Sequence, residues 1–260
     1  MPDIVISDPA DPRVSDYVGL TDGEARRADF FIAEGPMVVD RLLRSTWPVR
    51  SVLLADRRRD AVDTSGFDGP VYVAAPAVMN AVVGFDIHRG VLAAGTRRPL
   101  PALATLLEHR HRIAVLDAVN DHENLGVIFR TAAALGIDAV VLSRQCSDPL
   151  YRRCLRVSMG YALDVPFAWV DEATEALEVL HDAGFRTIAL ATGQRAVDLD
   201  SFDLRPDEPA AVVAGSEAHG LGDGVLDRVD TIARIAMRPG VDSLNVATAC
   251  AIAFHRFGTL

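Results

Sequence analysis

The sequence has no lysine; all 26 of its basic residues are arginine. That absence removes several chemistries at once. A Walker-type phosphate loop needs its lysine, a pyridoxal enzyme needs its Schiff-base lysine, and a protein kinase needs its strand lysine. Arginine is a good phosphate reader in its own right, because its planar fork pairs two oxygens together. Cysteine is scarce as well. Cys146, Cys154 and Cys250 are odd in number and follow no metal-ligand spacing, so they read as reduced, buried thiols of a cytosolic chain. The histidines, His109, His111 and His219 among them, show no ligand spacing either, and no metal is expected.

Long apolar runs are missing too: none reaches the ~18 residues that would span a bilayer. The opening MPDIVISDPADPR has neither the positive nor the apolar part of a secretory signal. A cytoplasmic chain without a membrane partner is the expectation. Positive charge is in deficit, with a net charge of −10. This argues against loose nucleic-acid binding over the whole surface and leaves a local basic patch open. The motifs G-x-G-x-x-G and G-x-S-x-G are absent, which weakens a nicotinamide or flavin enzyme and an α/β hydrolase.

What is present is a chain of 260 residues, half of them hydrophobic, enough for one large domain or two ordinary ones. From about Val14 to Gly95, short apolar runs mix with arginine clusters, including Arg57-Arg58-Arg59. Ser51–Ala55 and Gly90–Gly95 read as short buried strands. Thr96–Ala102, TRRPLPA, has the prolines and charge of a linker. From Arg112 the pattern becomes regular. RIAVLDAV, DAVVLS, RTIALAT, AAVVAG and DTIARIAM read as strands. NLGVIFRTAAAL, closed by Gly136, DPLYRRCLRVSMG, with Asp148 as N-cap, EATEALEVLHDAG and SLNVATACAIAFHRF read as helices. Continuous apolar strands alternating with helices predict an α/β fold with a parallel sheet covered on both faces. Ligands in such folds sit at the carboxyl ends of the strands.

Three segments that follow strands are rich in glycine or small polar residues. The first holds Asn124, Gly126 and Arg130. On a helix, Gly126 and Arg130 are four apart and share a face. Arginine is costly to bury without a partner, so Arg130 points either to water or into a site. The second, AGSEAHGLG, delivers Gly215-Ser216-Glu217, with Gly220 and Gly222 beyond. Glycines let backbone approach a ligand, and a glutamate accepts hydrogen bonds from hydroxyls. In the third, a strand ends at Met237, a turn passes Pro239-Gly240, and a helix starts near Ser243 with Asn245 in its first turn. Simple helix capping accounts for Ser243 and Asn245 equally well.

Together and in this order, the three segments resemble the signature of the SpoU (TrmH) family of RNA ribose methyltransferases, from about Ile113 onward. The stretch Asp148–Gly160 also looks like the family. FIAEGPMVVDRLL, Phe31–Leu43, is similar to its small RNA-binding domain, which resembles ribosomal protein L30e. The resemblance implies an α/β chain with an L30e-like domain over residues 1–98. A parallel-sheet SPOUT catalytic domain follows over 99–260, with a deep trefoil knot that binds S-adenosyl-L-methionine. Such knots are rare exceptions among proteins. It implies a homodimer whose active site is completed across the interface.

By position, it puts donor contacts on Gly215, Ile235, Met237 and Leu244, with Thr192, Gly193 and Glu217 as neighbours. It gives Arg130 the central catalytic role, with Asn124, Glu217, Ser243 and Asn245 orienting ribose or donor. RNA contacts are expected from Arg57, Arg58, Arg59, Arg152 and Arg153. Ribosomal RNA is the expected substrate and transfer RNA the other candidate. The alternative is a non-catalytic RNA-binding protein that retains the fold. Two departures stand out. The family has proline and glycine where Asp121-His122-Glu123 stand, adding acid near the RNA, and proline where Ala236 stands.

Overall fold

The computed structural model describes residues 3–20, 29–201, 203–205, 207–216 and 219–258. Its contacts divide the chain into two units. One runs to Pro99 and also takes in Asp148–Asp164; the other holds Leu100–Ser147 and Val165–Leu260. The stretch Asp148–Asp164 thus packs with the first unit.

The described residues of the first unit form a mixed sheet of five strands: β1 (Ile4–Ile6), β2 (Phe30–Glu34), β3 (Val49–Ala55), β4 (Val71–Ala74) and β5 (Val91–Thr96). The order is β1-β4-β3-β5-β2, parallel on the β1 side and antiparallel where β5 meets β3 and β2. Helices α1 (Pro36–Arg44) and α2 (Pro76–Val83) each begin with a proline, which suits the first helical turn because no partner for its missing N–H is required there. Tyr17, Leu53, Met79 and Leu92 anchor the core of this unit.

Three arginines hold the Asp148–Asp164 segment in the first unit. Arg97 pairs with Asp148 at 2.5 Å. Arg152 pairs with the buried Glu34 at 2.8 Å and donates to the Leu20 carbonyl at 2.6 Å. Arg41 lies 3.7 Å over the Tyr161 ring, pairs with Asp164 and donates to the Met159 carbonyl. The expected long helix is shorter here. The Asp148 side chain accepts the Leu150 N–H within a turn, and the helix runs only over Arg152–Val157, with Tyr151 at its N-cap.

The second unit carries α3 (Leu103–Leu107), β6 (Arg112–Asp117), α4 (His122–Ala134) and β7 (Ala139–Ser143). Helix α5 is the Arg152–Val157 helix of the first unit. There follow β8 (Phe167–Val170), α6 (Ala173–Asp182), β9 (Arg186–Leu190), β10 (Val197–Asp198), β11 (Ala210–Gly215), α7 (Asp223–Leu226), β12 (Thr231–Arg234) and α8 (Val246–Phe257). The described strands pair in the order β10-β12-β9-β11-β6-β7-β8, all parallel.

Every residue of β7, and β6 and β11 up to their last residue, is buried, as expected for strands covered on both faces. Gly136, at φ 71, ends α4 in the left-handed conformation and lets the Ile137 N–H reach the Ala132 carbonyl. β12 ends at Arg234, three residues short of the sequence expectation, and residues 235–245 form no regular element.

The amino-terminal end of this sheet is closed by polar contacts. Arg112 is almost wholly buried. Its Nε donates to the Phe257 carbonyl at 2.5 Å, Nη1 to the Glu208 and His111 carbonyls, and Nη2 to the Arg205 carbonyl. Asp138 accepts the backbone N–H groups of His111 and Arg112, each at 2.8 Å. Thr187 and Asp230 exchange hydrogen bonds through side chain and backbone at 2.8–3.0 Å.

Candidate active site

At the other end of the same sheet the chain leaves β9, β11 and β12 in loops that enclose a cavity of about 380 Å³. Gly215 closes β11 there. Just beyond it the chain doubles back, with the Gly220 N–H bonded to the Ser216 carbonyl at 2.8 Å. A Cβ on Gly215 would stand 2.3 Å from the Gly220 carbonyl oxygen, so only glycine permits this close approach.

Thr192, Gly215, Ile235, Met237, Ser243 and Leu244 line the cavity together. Gly193 is exposed and outside the lining. Glu217 lies outside the described residues. Sequence reasoning missed Leu190, Ala191, Ala233, Arg234 and Asp242, which also line it. The available signal was position: most stand at or just past a strand's carboxyl end. Ile235 and Met237 explain the overlong strand, since their apolar side chains line a cavity instead of a sheet.

Two helix starts meet beside this end of the sheet. Asp121 is the N-cap of α4, and its carboxylate accepts the Glu123 and Asn124 N–H groups at 2.7 and 2.8 Å. One of the acids in the unusual Asp121-His122-Glu123 stretch thus has a structural partner of its own. α8 starts later than expected. Its N-cap is Asn245, whose Oδ1 accepts the Thr248 N–H at 3.1 Å, and Ser243 precedes the helix. The Asn245 Nδ2 donates to Asn124 Oδ1 at 2.8 Å, so the two predicted asparagines touch. Arg130 is exposed on α4, with no ion-pair or hydrogen-bond partner among the described residues, while Gly126 is buried. Glu123, Val127, Arg130 and Ala134 form one exposed stripe at helical spacing.

In the first unit, Arg57 and Arg58 are exposed on the turn Asp56–Ala61 after β3, and Arg59 is held 2.5 Å from Asp3. Arg153 is exposed. Arg152 spends its fork on Glu34 and Leu20, and this sets it apart from the other arginines expected at RNA. The three cysteines are buried and free. Burial pushes the Cys250 thiol up to about 12 and raises that of Cys154, so neither supplies a thiolate near neutral pH. Among the described residues, no group of three or more His, Cys, Asp or Glu could hold a metal ion, and no helix is long and apolar enough to cross a membrane.

Sheet order, cavity position and glycine-shaped loops define an α/β enzyme class that takes its ligand at the carboxyl ends of parallel strands. The profile of the SpoU rRNA Methylase family matches residues 111–255. An uncharacterized tRNA/rRNA methyltransferase of Mycobacterium bovis is 43% identical over 96% of this chain and 90% of its own length. A 23S rRNA guanosine 2′-O-methyltransferase of Bacillus subtilis, RlmP, is 28% identical over 92% of this chain and 93% of its own. The crystal structure of an AdoMet-bound rRNA methyltransferase from Sinorhizobium meliloti superposes with a TM-score of 0.82 at 26% identity, covering 97% of this chain and 96% of that one. The chain belongs to the SpoU family of RNA methyltransferases.

Proposed function

We propose that this protein methylates a ribose 2′-hydroxyl of RNA, ribosomal RNA in the first place and transfer RNA as the second candidate, with S-adenosyl-L-methionine as donor. One observation carries the reading. Three separate loops, each picked out by sequence, supply lining residues to a single cavity or touch one another beside it, through Gly215, Ser243, Leu244 and the Asn124–Asn245 pair. The residues fit such a donor. The cavity lies within the range of small-ligand sites, and apolar Leu190, Ile235 and Leu244 line it together with Gly215 and Gly220, whose missing side chains suit a flat base read by amides and carbonyls. Glu217 belongs to this reading as a further contact. So do the trefoil knot and the L30e-like character of the first unit.

When bound, the donor supplies an activated methyl group on a sulfonium. The chain must align the nucleophile, whose hydroxyl proton passes to water as the methyl is transferred. A guanidinium, with pKa above ~12, does not serve as a base at neutral pH. Arg130 instead clamps the neighbouring phosphate or stabilises the developing alkoxide by charge. Asn245 caps α8 with its oxygen and holds the Asn124 oxygen with its nitrogen. The Asn124 amide nitrogen is thereby turned away from Asn245 and serves as a donor to the ribose. Ser243, in the lining, orients ribose or donor.

A second copy of the chain completes the site in this reading. Val127 and Ile252, 40% and 38% exposed on α4 and α8, support it as apolar residues on the two helices that start at the asparagine pair. RNA is held by Arg57, Arg58 and Arg153, with Arg59 and Arg152 contributing as their existing pairs allow. The test maps 2′-O-methyl groups in total RNA from cells with and without the gene, alongside calorimetry with S-adenosyl-L-methionine. Loss of one methylated ribose and measurable donor binding are expected. RNA binding without donor binding would replace this reading by that of a non-catalytic RNA-binding protein.

A further inference from the structure

Two of the described residues that line the cavity carry a formal charge at neutral pH, Arg234 and Asp242. They differ in how that charge is met. The Arg234 Nε lies 2.7 Å from Asp198 Oδ1, so its charge is answered on the spot. Asp242 is exposed and has no ion pair or hydrogen bond with another described residue. The turn that bonds the Val241 N–H to the Arg238 carbonyl at 3.2 Å leads straight into Asp242, Ser243 and Leu244, all three in the lining, while Arg238 itself is not. Among the described lining residues, Asp242 thus carries the one carboxylate, and no described residue answers it.

We propose that Asp242 is a specificity residue that favours a positively charged donor over its neutral product. This rests on the donor reading above. S-adenosyl-L-methionine carries a sulfonium, whereas S-adenosylhomocysteine, left after methyl transfer, has an uncharged thioether in its place. The rest of the two molecules is the same. A carboxylate in the cavity wall attracts the sulfonium charge and has nothing to attract at the thioether, so it strengthens binding before transfer and releases its hold afterwards. Apolar side chains do not answer that charge, and a full carboxylate answers it more strongly than the partial charge of a backbone carbonyl. The role is one of binding discrimination, and no proton or bond passes through Asp242.

The test is calorimetry in mildly alkaline buffer at two pH values about one unit apart, where the carboxylate stays charged throughout. Wild type and Asp242→Asn are titrated with S-adenosyl-L-methionine, S-adenosylhomocysteine and sinefungin, which bears an ammonium in place of the sulfonium. In Asp242→Asn, affinity for the two charged ligands is expected to fall about three- to tenfold at both pH values, the scale of a partly solvated charge pair. Affinity for the neutral product should stay within about twofold, and the difference should shrink in ~1 M salt, where the Debye length is ~3 Å. Asp242→Glu should keep most of the discrimination. An equal fall for all three ligands would assign Asp242 to a group they share and overturn the proposal, as would no change for any. If wild type bound none of them, the donor reading would fail and this inference with it. Wild-type binding with an unchanged ratio in the variant overturns this inference alone.

Discussion

The two ends of the parallel sheet in the second unit are built on opposite terms. At the amino-terminal end, donors and acceptors are matched: Arg112 feeds four carbonyls, Asp138 takes two backbone N–H groups, and Thr187 and Asp230 exchange bonds. At the carboxyl end, glycine-shaped loops surround a cavity, a carboxylate stands unanswered, and an arginine faces outward without a partner among the described residues. The difference separates holding from reacting. Buried polar groups must be satisfied or they cost stability, while a site needs groups whose bonds are left for the ligand. The same residue type illustrates both terms, as Arg112 is buried with carbonyl partners and Arg130 is exposed without them.

That contrast can be broken most strongly at Arg112. Replacing it with methionine keeps much of the stem and removes every donor, stranding the carbonyls of Phe257 and Glu208 in a buried place. A loss of about 3 kcal/mol or more in folding stability is expected, read by denaturant unfolding, with donor affinity per folded molecule unchanged. A variant as stable as wild type would mean that this end is not what holds the sheet. Arg130 should behave in the reverse way. Arg130→Ala should leave stability and donor binding nearly intact while methyl transfer falls by ~100-fold or more, the effect of losing one strong electrostatic contact in a reacting site. Arg130→Lys should also be poor, since a point charge does not replace a fork. Turnover close to wild type in both variants would make Arg130 a surface residue.

The sequence posed the arginine problem at the right cost and at one of two places. Arg130 stood out because it interrupts a small, apolar helix, and it proved exposed. The arginine that is buried, Arg112, opens a strand where charge looks ordinary, and its partners are carbonyls brought from about 95 and 145 residues away. No local pattern announces those. The long buried strands β6, β7, β9 and β11 were legible because an unbroken apolar run bounded by turn residues is stable only when both of its faces are covered. Strands of three or four residues, such as β1, β4 and β8, are too short for periodicity to declare. Within the site, the residue types in the three loops gave the lining residues Gly215, Ser243 and Leu244. They did not give the Asn124–Asn245 bond, which joins positions 121 residues apart, nor that the α8 cap is Asn245 instead of Ser243, since both types cap well.

The finest test of the comparison lies where β6 runs out into the first loop. Ala118 has φ 55, one of three non-glycine residues with positive φ among those described. Its backbone N–H is held by the buried Ser143 hydroxyl at 3.0 Å, which fixes the chain in a left-handed conformation that a Cβ disfavours. Strain of this kind persists where surrounding structure over-determines it, and it gathers at sites. Ala118→Gly should relieve it at a position where glycine is at no steric disadvantage, and stability should rise by about 0.5–1 kcal/mol. The melting temperature should climb by roughly 1–4 °C for a chain of this size. If Ala118 also stiffens the path into α4, the gain will come with looser placement of Asn124 and Arg130. Methyl transfer should then fall while the Kd for donor, measured alone, holds steady. A stabilised variant with unchanged turnover would show that the bend is tolerated there without being used.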